Sequence, residues 1–289
     1  MKLVGMMAVR NEDWCLGLTL RAALTWCDEV VVYLHACADL SHMFAREVLR
    51  DNPRRVRLCD QYDPTWDEMR HRREMLMVAR SDGATHLAII DADEILTGNQ
   101  INSTGQYDGC SLIRARCAEL GPGEMLCLPG YNLRGGTTHY HSDGTWGNRW
   151  FSVVFADDPR LHWTGDCFHH REPLGLELKP VKPVSQHHGG VMHLWGVSER
   201  RLKAKHALYK ITERLRWPDK TTYEINAMYD QWKQIVSFAK VPDSWWAPYE
   251  KWWKYLDVNK EPWQEAECRR LIEEHGGVKF KGLDLFGVA

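Results

Sequence analysis

The alternation of strand-like and helix-like segments in the first hundred residues constrains the fold most strongly. Short apolar segments predict four strands, at residues 2–9, 29–34, 55–59 and 86–90. Helical patterns separate these strands, at residues 16–26, 40–50 and 66–81. Because parallel strands need crossover connections, this spacing predicts a parallel sheet with right-handed crossovers, and hence an α/β fold.

Polar residues follow the predicted strands. Ligands of open parallel sheets bind beyond the carboxyl ends of the strands, so a functional site is expected at that edge. The residues that emerge there are Arg10, Asn11, Glu12, His35, Asp60, Asp91 and Asp93.

The segment LAIIDADEIL, residues 87–96, places carboxylates directly after a buried strand. Side chains alternate along a strand, so Asp91 and Asp93 are expected to point the same way. Two close carboxylates repel each other unless a cation lies between them, and Mg²⁺ or Mn²⁺ suits such oxygen ligands together with phosphates. A solvated turn with helix-capping acids is the alternative.

The chain changes character after residue 96. Residues 97–190 are rich in Gly, Thr, His and aromatic residues, which predicts an antiparallel extension with long loops. Charged helical patterns follow, at residues 198–216, 222–238, 245–256 and 262–275. We therefore divide the chain into three parts, at residues 1–110, 111–205 and 206–289, of which the last is a helical C-terminal extension.

Four tryptophans fall within the segment SWWAPYEKWWKYL. Trp245, Trp246, Trp252 and Trp253 are spaced by seven and eight residues, which returns them to one face of an α-helix. This spacing predicts a helix that packs on the rest of the protein through an aromatic stripe. The alternative is an aromatic platform that stacks on sugar rings or nucleobases, together with the loop at residues 131–150.

Composition excludes several classes of protein. The 289 residues carry a net charge of −2, which argues against a mainly basic nucleic-acid-binding protein. The nine cysteines include no Cys-x-x-Cys pair, so neither a disulfide framework nor a zinc ribbon is expected. The first residues do not resemble a signal peptide, no segment matches a membrane span, and a cytoplasmic location is expected.

Several segments resemble family 2 type glycosyltransferases with the GT-A fold, a Rossmann-like and mostly parallel sheet flanked by helices. The order and spacing of these segments along residues 1–210 carry the resemblance. The segments are VRNE (9–12), DEVVVYLHACAD (28–39), WDEMRHRRE (66–74), LAIIDADE (87–94), HWTGDCFHHRE (162–172) and VMHLWGVSERRLKAKHALY (191–209).

The resemblance implies a nucleotide-diphosphate sugar as donor, with a UDP-sugar as first choice, and Mn²⁺ or Mg²⁺ as cofactor. It implies that residues 1–110 bind the nucleotide sugar and that residues 111–205 bind the acceptor and supply the catalytic residues. It implies Asp93 as the main metal ligand and His193 as the ligand that completes the site. Asp91 would contact the metal, its bound water or the ribose.

The resemblance also places the nucleoside near the ends of the first two strands. It implies nucleoside contacts by Arg10, Asn11, Glu12 and Asp39. His35 departs from the family pattern, because many members carry an Asp there, and Asp60 or Asp63 is the alternative base contact.

Basic residues are candidates for binding the diphosphate. Arg70 and Arg73 precede the acidic strand, and Lys203 and Lys205 follow His193. Arginines on a helix surface such as Arg70 and Arg73 are usually just solvated, and a solvated amphipathic helix face explains Lys203 and Lys205 about as well.

The family's reaction inverts the anomeric carbon, which requires one general base for the acceptor hydroxyl. A His-Glu pair normally supplies the carboxylate, but here the register of the motif is ambiguous. Glu172 is the first candidate, followed by Asp166 and His170.

The sequence thus predicts a metal-dependent, inverting glycosyltransferase of hexosyltransferase type. The acceptor would be a glycan, a glycolipid or a small molecule, and the second choice is a hydroxymethylated base in phage-type DNA. A nucleotidyltransferase is one alternative, but the first strand lacks the expected glycine-rich loop. A non-catalytic sugar- or partner-binding module on the same scaffold is the other.

Overall fold

The computed structural model describes residues 1–166, 170–185, 188–234 and 236–288. Its strands are β1 Leu3–Val9, β2 Glu29–His35, β3 Val56–Gln61, β4 His86–Asp91, β5 Glu94–Leu96, β6 Glu124–Asn132, β7 His139–His141, β8 Arg149–Ala156, β9 Lys179–Val181, β10 Val191–His193 and β11 Phe238–Lys240. Its α-helices are α1 Leu16–Ala23, α2 Ser41–Asp51, α3 Glu68–Ser81, α4 Leu112–Ala118, α5 Glu199–Arg216, α6 Thr222–Tyr229, α7 Asp243–Trp246 and α8 Trp263–His275. Short 3₁₀-helices lie at Gly98–Gln100, Leu194–Gly196, Gln231–Lys233, Ala247–Tyr255 and Gly277–Phe280.

The main sheet has the strand order β3-β2-β1-β4-β8-β6-β10-β5, with β9 beside β6. Strands β1 to β4 pair in parallel: Met6 lies opposite Val31 on one side and Ile89 on the other. Strand β8 runs antiparallel to β4. The predicted α/β fold class is therefore confirmed: a mostly parallel sheet flanked by helices, with an antiparallel extension and a helical C-terminal segment.

The chain divides into two compact units. The first comprises Met1–Gly130, Trp150–Met192 and Pro242–Asp257, and the second comprises Tyr131–Arg149, His193–Val241 and Val258–Ala289. The three-part division expected from the sequence concerns function rather than compactness, and it stays a prediction.

The core of the first unit follows from strand alternation. Val4 and Met6 point to one face of the sheet and pack with Met75 and Leu76 of α3. Trp163 is fully buried in the same cluster. This packing fixes α3, and with it the arginines near its N-terminus, against the parallel strands.

The core of the second unit is helical. Ile211 of α5, Ile225 of α6 and Cys268 of α8 share one buried cluster. Lys210 is fully buried in α5, and its ammonium group donates to Asp230 at 2.6 Å. The ion pair compensates for the burial of the lysine charge.

The predicted helix at residues 245–256 is wrong. Helix α7 ends at Trp246, and a 3₁₀-helix that begins at Ala247 continues the chain, with Pro248 in its first turn. Trp245 and Trp246 are buried, in agreement with a packing role. The chain changes from an α-helix to a 3₁₀-helix after Trp246, so a single helical face of four tryptophans does not form, although the rings of Trp246 and Trp253 lie 4.9 Å apart.

The predicted helix at residues 222–238 is also shorter than expected. Helix α6 ends at Tyr229, and β11 follows and pairs with β7. A capping box between Thr221 and Glu224 begins α6. In the described residues, no helix has the length and apolar character needed to cross a bilayer.

Candidate active site

Strand β4 ends in a tight turn formed by residues 91–94, which we call the acidic turn. The backbone N–H of Asp91 donates to Glu94 Oε2 at 3.1 Å, which closes the turn. The Asp91 side chain is 40% exposed, whereas Asp93 is 5% exposed. Because the strand ends at Asp91, strand alternation does not determine the direction of Asp93, as the sequence had suggested.

Arg171 fills the inner side of the acidic turn. Its Nη1 donates to Asp91 Oδ2 at 3.1 Å and to Glu94 Oε1 at 2.7 Å. Its Nη2 donates to Glu94 Oε2 and to the Ile89 carbonyl, both at 2.7 Å. Its Nε donates to the Ser152 carbonyl on β8 at 2.7 Å. All five N–H donors of the guanidinium are therefore used.

A second arginine lies beside the same turn. Arg72 of α3 pairs with Glu68 at 2.8 Å, and its Nη2 lies 3.5 Å from Asp91 Oδ1. Each carboxylate oxygen of Asp91 thus faces an arginine. Burial alone would lower the pKa of Arg171, but the Glu94 and Asp91 carboxylates outweigh it and raise that pKa.

The sequence did not identify Arg171 and Arg72 as functional residues. A signal was available, because Arg171 lies between two of the candidate bases, His170 and Glu172. A buried acidic turn needs compensating positive charge. Which arginine supplies that charge depends on tertiary packing and cannot be read from spacing along the chain.

Strand β8 fixes the position of the first candidate base. Ser152 Oγ donates to Glu172 Oε1 at 2.6 Å, while the Ser152 carbonyl accepts from Arg171. Of the other two candidates, Asp166 is exposed and His170 is partly buried. Residues 167–169 of the same motif lie outside the described residues.

The predicted nucleoside-binding residues form hydrogen bonds between the loop after β1 and the loop after β2. Asn11 has φ of 55°, and its Oδ1 accepts from the Ala38 N–H at 2.7 Å. Glu12 accepts from Trp14 Nε1 at 2.5 Å. Asp39 accepts from the Asp13 N–H at 3.0 Å, and burial raises the pKa of its carboxyl. These side chains have a structural role in shaping the two loops.

His35 is fully buried beside a second histidine. Its Nε2 donates to the Asp63 carbonyl at 2.8 Å, and its ring lies 4.4 Å from His71 and 5.2 Å from Trp66. Burial, aided by Arg10, lowers the pKa of His35 to about 4. Burial and His35 lower the pKa of His71 to about 3. Both imidazoles are therefore neutral near pH 7.

The remaining predicted contacts lie on the same unit. Asp60 lies 3.3 Å from His42 Nδ1. Arg70 pairs with Asp63 at 3.3 Å and donates to the Thr65 carbonyl at 3.4 Å. Arg73 is exposed on α3.

His193 ends β10 and belongs to the second unit. Its Nδ1 lies 3.1 Å from Asn132 Oδ1. Lys203 of the following helix α5 pairs with Glu199 at 2.7 Å.

The donor set determines what kind of cation would suit the acidic turn. Within the described ranges, no three His, Cys, Asp or Glu side chains are grouped to hold a metal ion. Mg²⁺ and Mn²⁺ ions that bind together with a diphosphate need only one or two protein carboxylates as ligands. Asp91 already has an arginine near each of its carboxylate oxygens. The assignment of Asp93 as the main metal ligand, expected from the sequence, stays a prediction.

The mostly parallel sheet, flanked by helices and continued by an antiparallel extension, is consistent with a GT-A fold. No family model matches the sequence. No curated protein matches it either.

Comparison with solved structures finds similarities at low identity. S. aureus TarS 1–349 in complex with UDP-GlcNAc is 9% identical with a TM-score of 0.45, and the alignment covers 98% of this chain and 82% of that one. The mannosyltransferase PcManGT from Pyrobaculum calidifontis, in complex with GDP-Man and Mn²⁺, is 12% identical with a TM-score of 0.46, covering 96% and 75%. Against another S. aureus TarS structure, 10% identical with a TM-score of 0.42, the alignment covers 78% of this chain and 42% of that one.

Proposed function

We propose that this protein is a glycosyltransferase that moves a sugar from a nucleotide-diphosphate sugar to an acceptor hydroxyl. The observation that carries the proposal is the acidic turn at the carboxyl end of β4, in a sheet whose parallel strands present polar side chains at the same edge. Such an edge is where open α/β sheets bind their ligands.

The donor would bind along this edge. Asn11, Glu12 and Asp39 shape the two loops that would receive the nucleoside, with Arg10, His35 and Asp60 nearby in sequence or on the same strand ends. Arg70, Arg73 and Asp91 are proposed contacts of the ribose and diphosphate. UDP is the first choice of nucleotide.

A divalent cation, Mn²⁺ or Mg²⁺, would neutralise the negative charge that develops on the departing diphosphate. Asp93 would hold it from the acidic turn. The further ligands expected from the sequence, Asp91 and His193, stay predictions that the geometry of the acidic turn does not carry. Arg171 neutralises Glu94 and Asp91, so the turn can keep its shape with several carboxylates close together.

The acceptor hydroxyl needs a base on the opposite side of the sugar from the leaving group. Glu172 is the proposed base, because Ser152 of β8 donates to its carboxylate and the neighbouring Arg171 donates to the Ser152 carbonyl, which together hold it beside β8. Its carboxylate would accept the hydroxyl proton as the anomeric carbon is attacked, which inverts the configuration. Asp166 and His170 remain the alternatives, and a glycan, glycolipid or small molecule is the proposed acceptor.

Thermal stabilisation by nucleotide diphosphates tests the donor site. We would measure the unfolding temperature with UDP, GDP, CDP and dTDP, each with and without Mn²⁺. The proposal predicts a rise for one nucleotide that depends on Mn²⁺ and disappears in Asp93→Asn.

The control is Asp51→Asn, which removes an exposed carboxylate from α2 and should leave the rise intact. If no nucleotide stabilises the folded wild-type protein, the transferase proposal is wrong, and a binding module on this scaffold becomes the better explanation.

A further inference from the structure

Two buried histidines lie side by side next to residues 62–67, which we call the β3–α3 loop. His35 ends β2 and His71 lies in α3, and their ring centres are 4.4 Å apart. Trp66 of the loop packs edge-on against both rings, at 5.2 and 4.9 Å. All of these residues belong to the first unit. Because both imidazoles are fully buried, neither contacts a ligand at the surface directly.

The two histidines differ in their hydrogen bonds. Nε2 of His35 lies 2.8 Å from the Asp63 carbonyl oxygen. A carbonyl oxygen only accepts, so Nε2 must carry the hydrogen in the neutral ring. In the described part of the chain, neither ring nitrogen of His71 has a hydrogen-bond partner. His35 therefore holds the β3–α3 loop through a directed bond, whereas His71 contributes packing.

The bond from His35 ties the β3–α3 loop to strand β2. Asp63 also donates its N–H to Gln61 Oε1 at 2.9 Å, and its Oδ1 accepts from the Thr65 N–H at 2.9 Å. These two bonds join residues that are neighbours along the chain, so they shape the loop without fixing it to another strand. Loss of the His35 donor would leave the Asp63 carbonyl without this partner, and the loop would shift toward water to hydrate it.

The β3–α3 loop carries a group that the proposed function assigns to the donor. The loop begins after Gln61, which lies beside His35 at the carboxyl end of the parallel strands. Asp63 Oδ2 lies 3.3 Å from Arg70 Nη1, and Asp67 begins α3 by accepting from the Arg70 N–H at 2.9 Å. The position of the loop therefore determines the position of Arg70, a proposed contact of the ribose and diphosphate.

We propose that His35 is a positioning residue of the donor site. Through the Asp63 carbonyl it would hold the β3–α3 loop, and with it Arg70, in place for a nucleoside diphosphate. This proposal rests on the proposed function, in which this edge of the sheet binds the donor. Many members of the family that the sequence resembles carry an Asp in place of His35. A fully buried imidazole acts through the loop instead of through direct contact with the nucleoside.

The first test determines the tautomer of His35 at pH 7.5. Long-range ¹H–¹⁵N correlations distinguish the two ring nitrogens of each histidine, and comparison with His35→Phe assigns the signals of His35. We expect the Nε2–H form in the wild type and in His71→Phe, because the Asp63 carbonyl is present in both. The Nδ1–H form in the wild type would overturn the proposal.

The second test measures the affinity for UDP, GDP, CDP and dTDP, each with Mn²⁺, by isothermal titration calorimetry. For the nucleotide that binds the wild type, His35→Phe should weaken the affinity roughly 3- to 10-fold, which corresponds to one neutral hydrogen bond. His35→Gln should restore most of the affinity, because its side-chain amide can donate to the Asp63 carbonyl.

The matched control is His71→Phe. It makes the same substitution in the same cluster, and a phenyl ring can keep the packing against Trp66 and His35. The Asp63 carbonyl keeps its donor in this variant, so the affinity for the nucleotide should equal that of the wild type. Urea unfolding of each variant distinguishes a general loss of stability from a loss of donor binding.

The outcomes separate the two proposals. Equal affinity of His35→Phe and the wild type, or an equal loss of affinity in His35→Phe and His71→Phe, would overturn the role of His35 and leave the transferase proposal in place. A folded wild-type protein that binds none of the four nucleotides would contradict the proposed function, and with it the role of His35 in the donor site, whatever the tautomer.

Discussion

At the scale of single residues, Arg171 determines how the acidic turn is built. Its guanidinium contacts two carboxylates, the end of β4 and the backbone of β8. The neighbouring residue is the proposed base, Glu172. One side chain therefore joins the proposed donor side of the site to the proposed acceptor side.

Replacement of Arg171 should destabilise the folded protein. In Arg171→Met, Glu94 and Asp91 lose their strongest counter-charge in a largely buried site, and we expect a loss of about 3–5 kcal/mol in the free energy of unfolding. Arg171→Lys keeps the charge but loses the bidentate geometry, so its loss should be smaller. Urea unfolding measures both variants. Equal stability of Arg171→Met and the wild type would contradict the interpretation.

Glu172 should affect chemistry rather than donor binding. We expect Glu172→Gln to lower kcat by about 10²- to 10⁴-fold, because the amide cannot accept the hydroxyl proton. Stabilisation by the nucleotide diphosphate should persist. Glu177→Gln, an exposed position on the same stretch, is the control. Full activity of Glu172→Gln would show that Glu172 is not the general base and would leave Asp166 or His170 as the candidate.

The buried histidine pair predicts a pH dependence of stability. The folded-state pKa values of His35 and His71 are lowered to about 4 and about 3, below the unfolded value near 6.5. The unfolded state therefore binds more protons between pH 6.5 and 4, and stability falls as the pH drops through that range, by up to about 1.4 kcal/mol per pH unit for each histidine.

The variant His71→Phe should reduce this slope, as measured by urea unfolding at several pH values. Trp66→Phe changes the same cluster without changing a titratable group. It should lower stability by a similar amount at each pH and leave the slope intact. If the pH dependence of the free energy of unfolding is unchanged in His71→Phe, protonation of His71 is not its cause.

At the scale of elements, the sequence predicted β1 to β4 with small errors. The predicted fourth strand at residues 86–90 and the observed β4, His86–Asp91, differ by one residue. Short β-branched segments bounded by polar residues identify buried strands well. The prediction of an α-helix for the Trp-rich segment, residues 245–256, failed. Pro248 and tertiary contacts favour a 3₁₀-helix there over the α-helix that the spacing suggested.

The close packing of this segment is testable at Gly98. An added Cβ at Gly98 would lie 2.5 Å from the Ser244 carbonyl and 2.7 Å from Pro248. We expect Gly98→Ala to lower the free energy of unfolding by about 1–3 kcal/mol, because backbone must shift. Gly121→Ala is the control, since its nearest contact would be 3.7 Å away. Equal stability of the two variants would contradict the observed packing.

At the scale of the whole molecule, the parallel strands position the residues of the proposed donor site. Their carboxyl ends bring Asn11, His35 and Asp91 to one edge of the first unit, although long stretches of sequence separate them. Sequence patterns predicted this edge because it follows from strand order alone. They did not predict the arginines of the acidic turn, since these depend on contacts between segments that are distant along the chain.

The measurement that tests the central claim most directly is release of nucleoside diphosphate from a panel of nucleotide sugars, with Mn²⁺ and with water or a simple glycan as acceptor. The account predicts release from one class of donor, lost in Asp93→Asn and retained in Asp51→Asn. Release that is equal in the wild type and Asp93→Asn, or no release from any donor that binds, would contradict it.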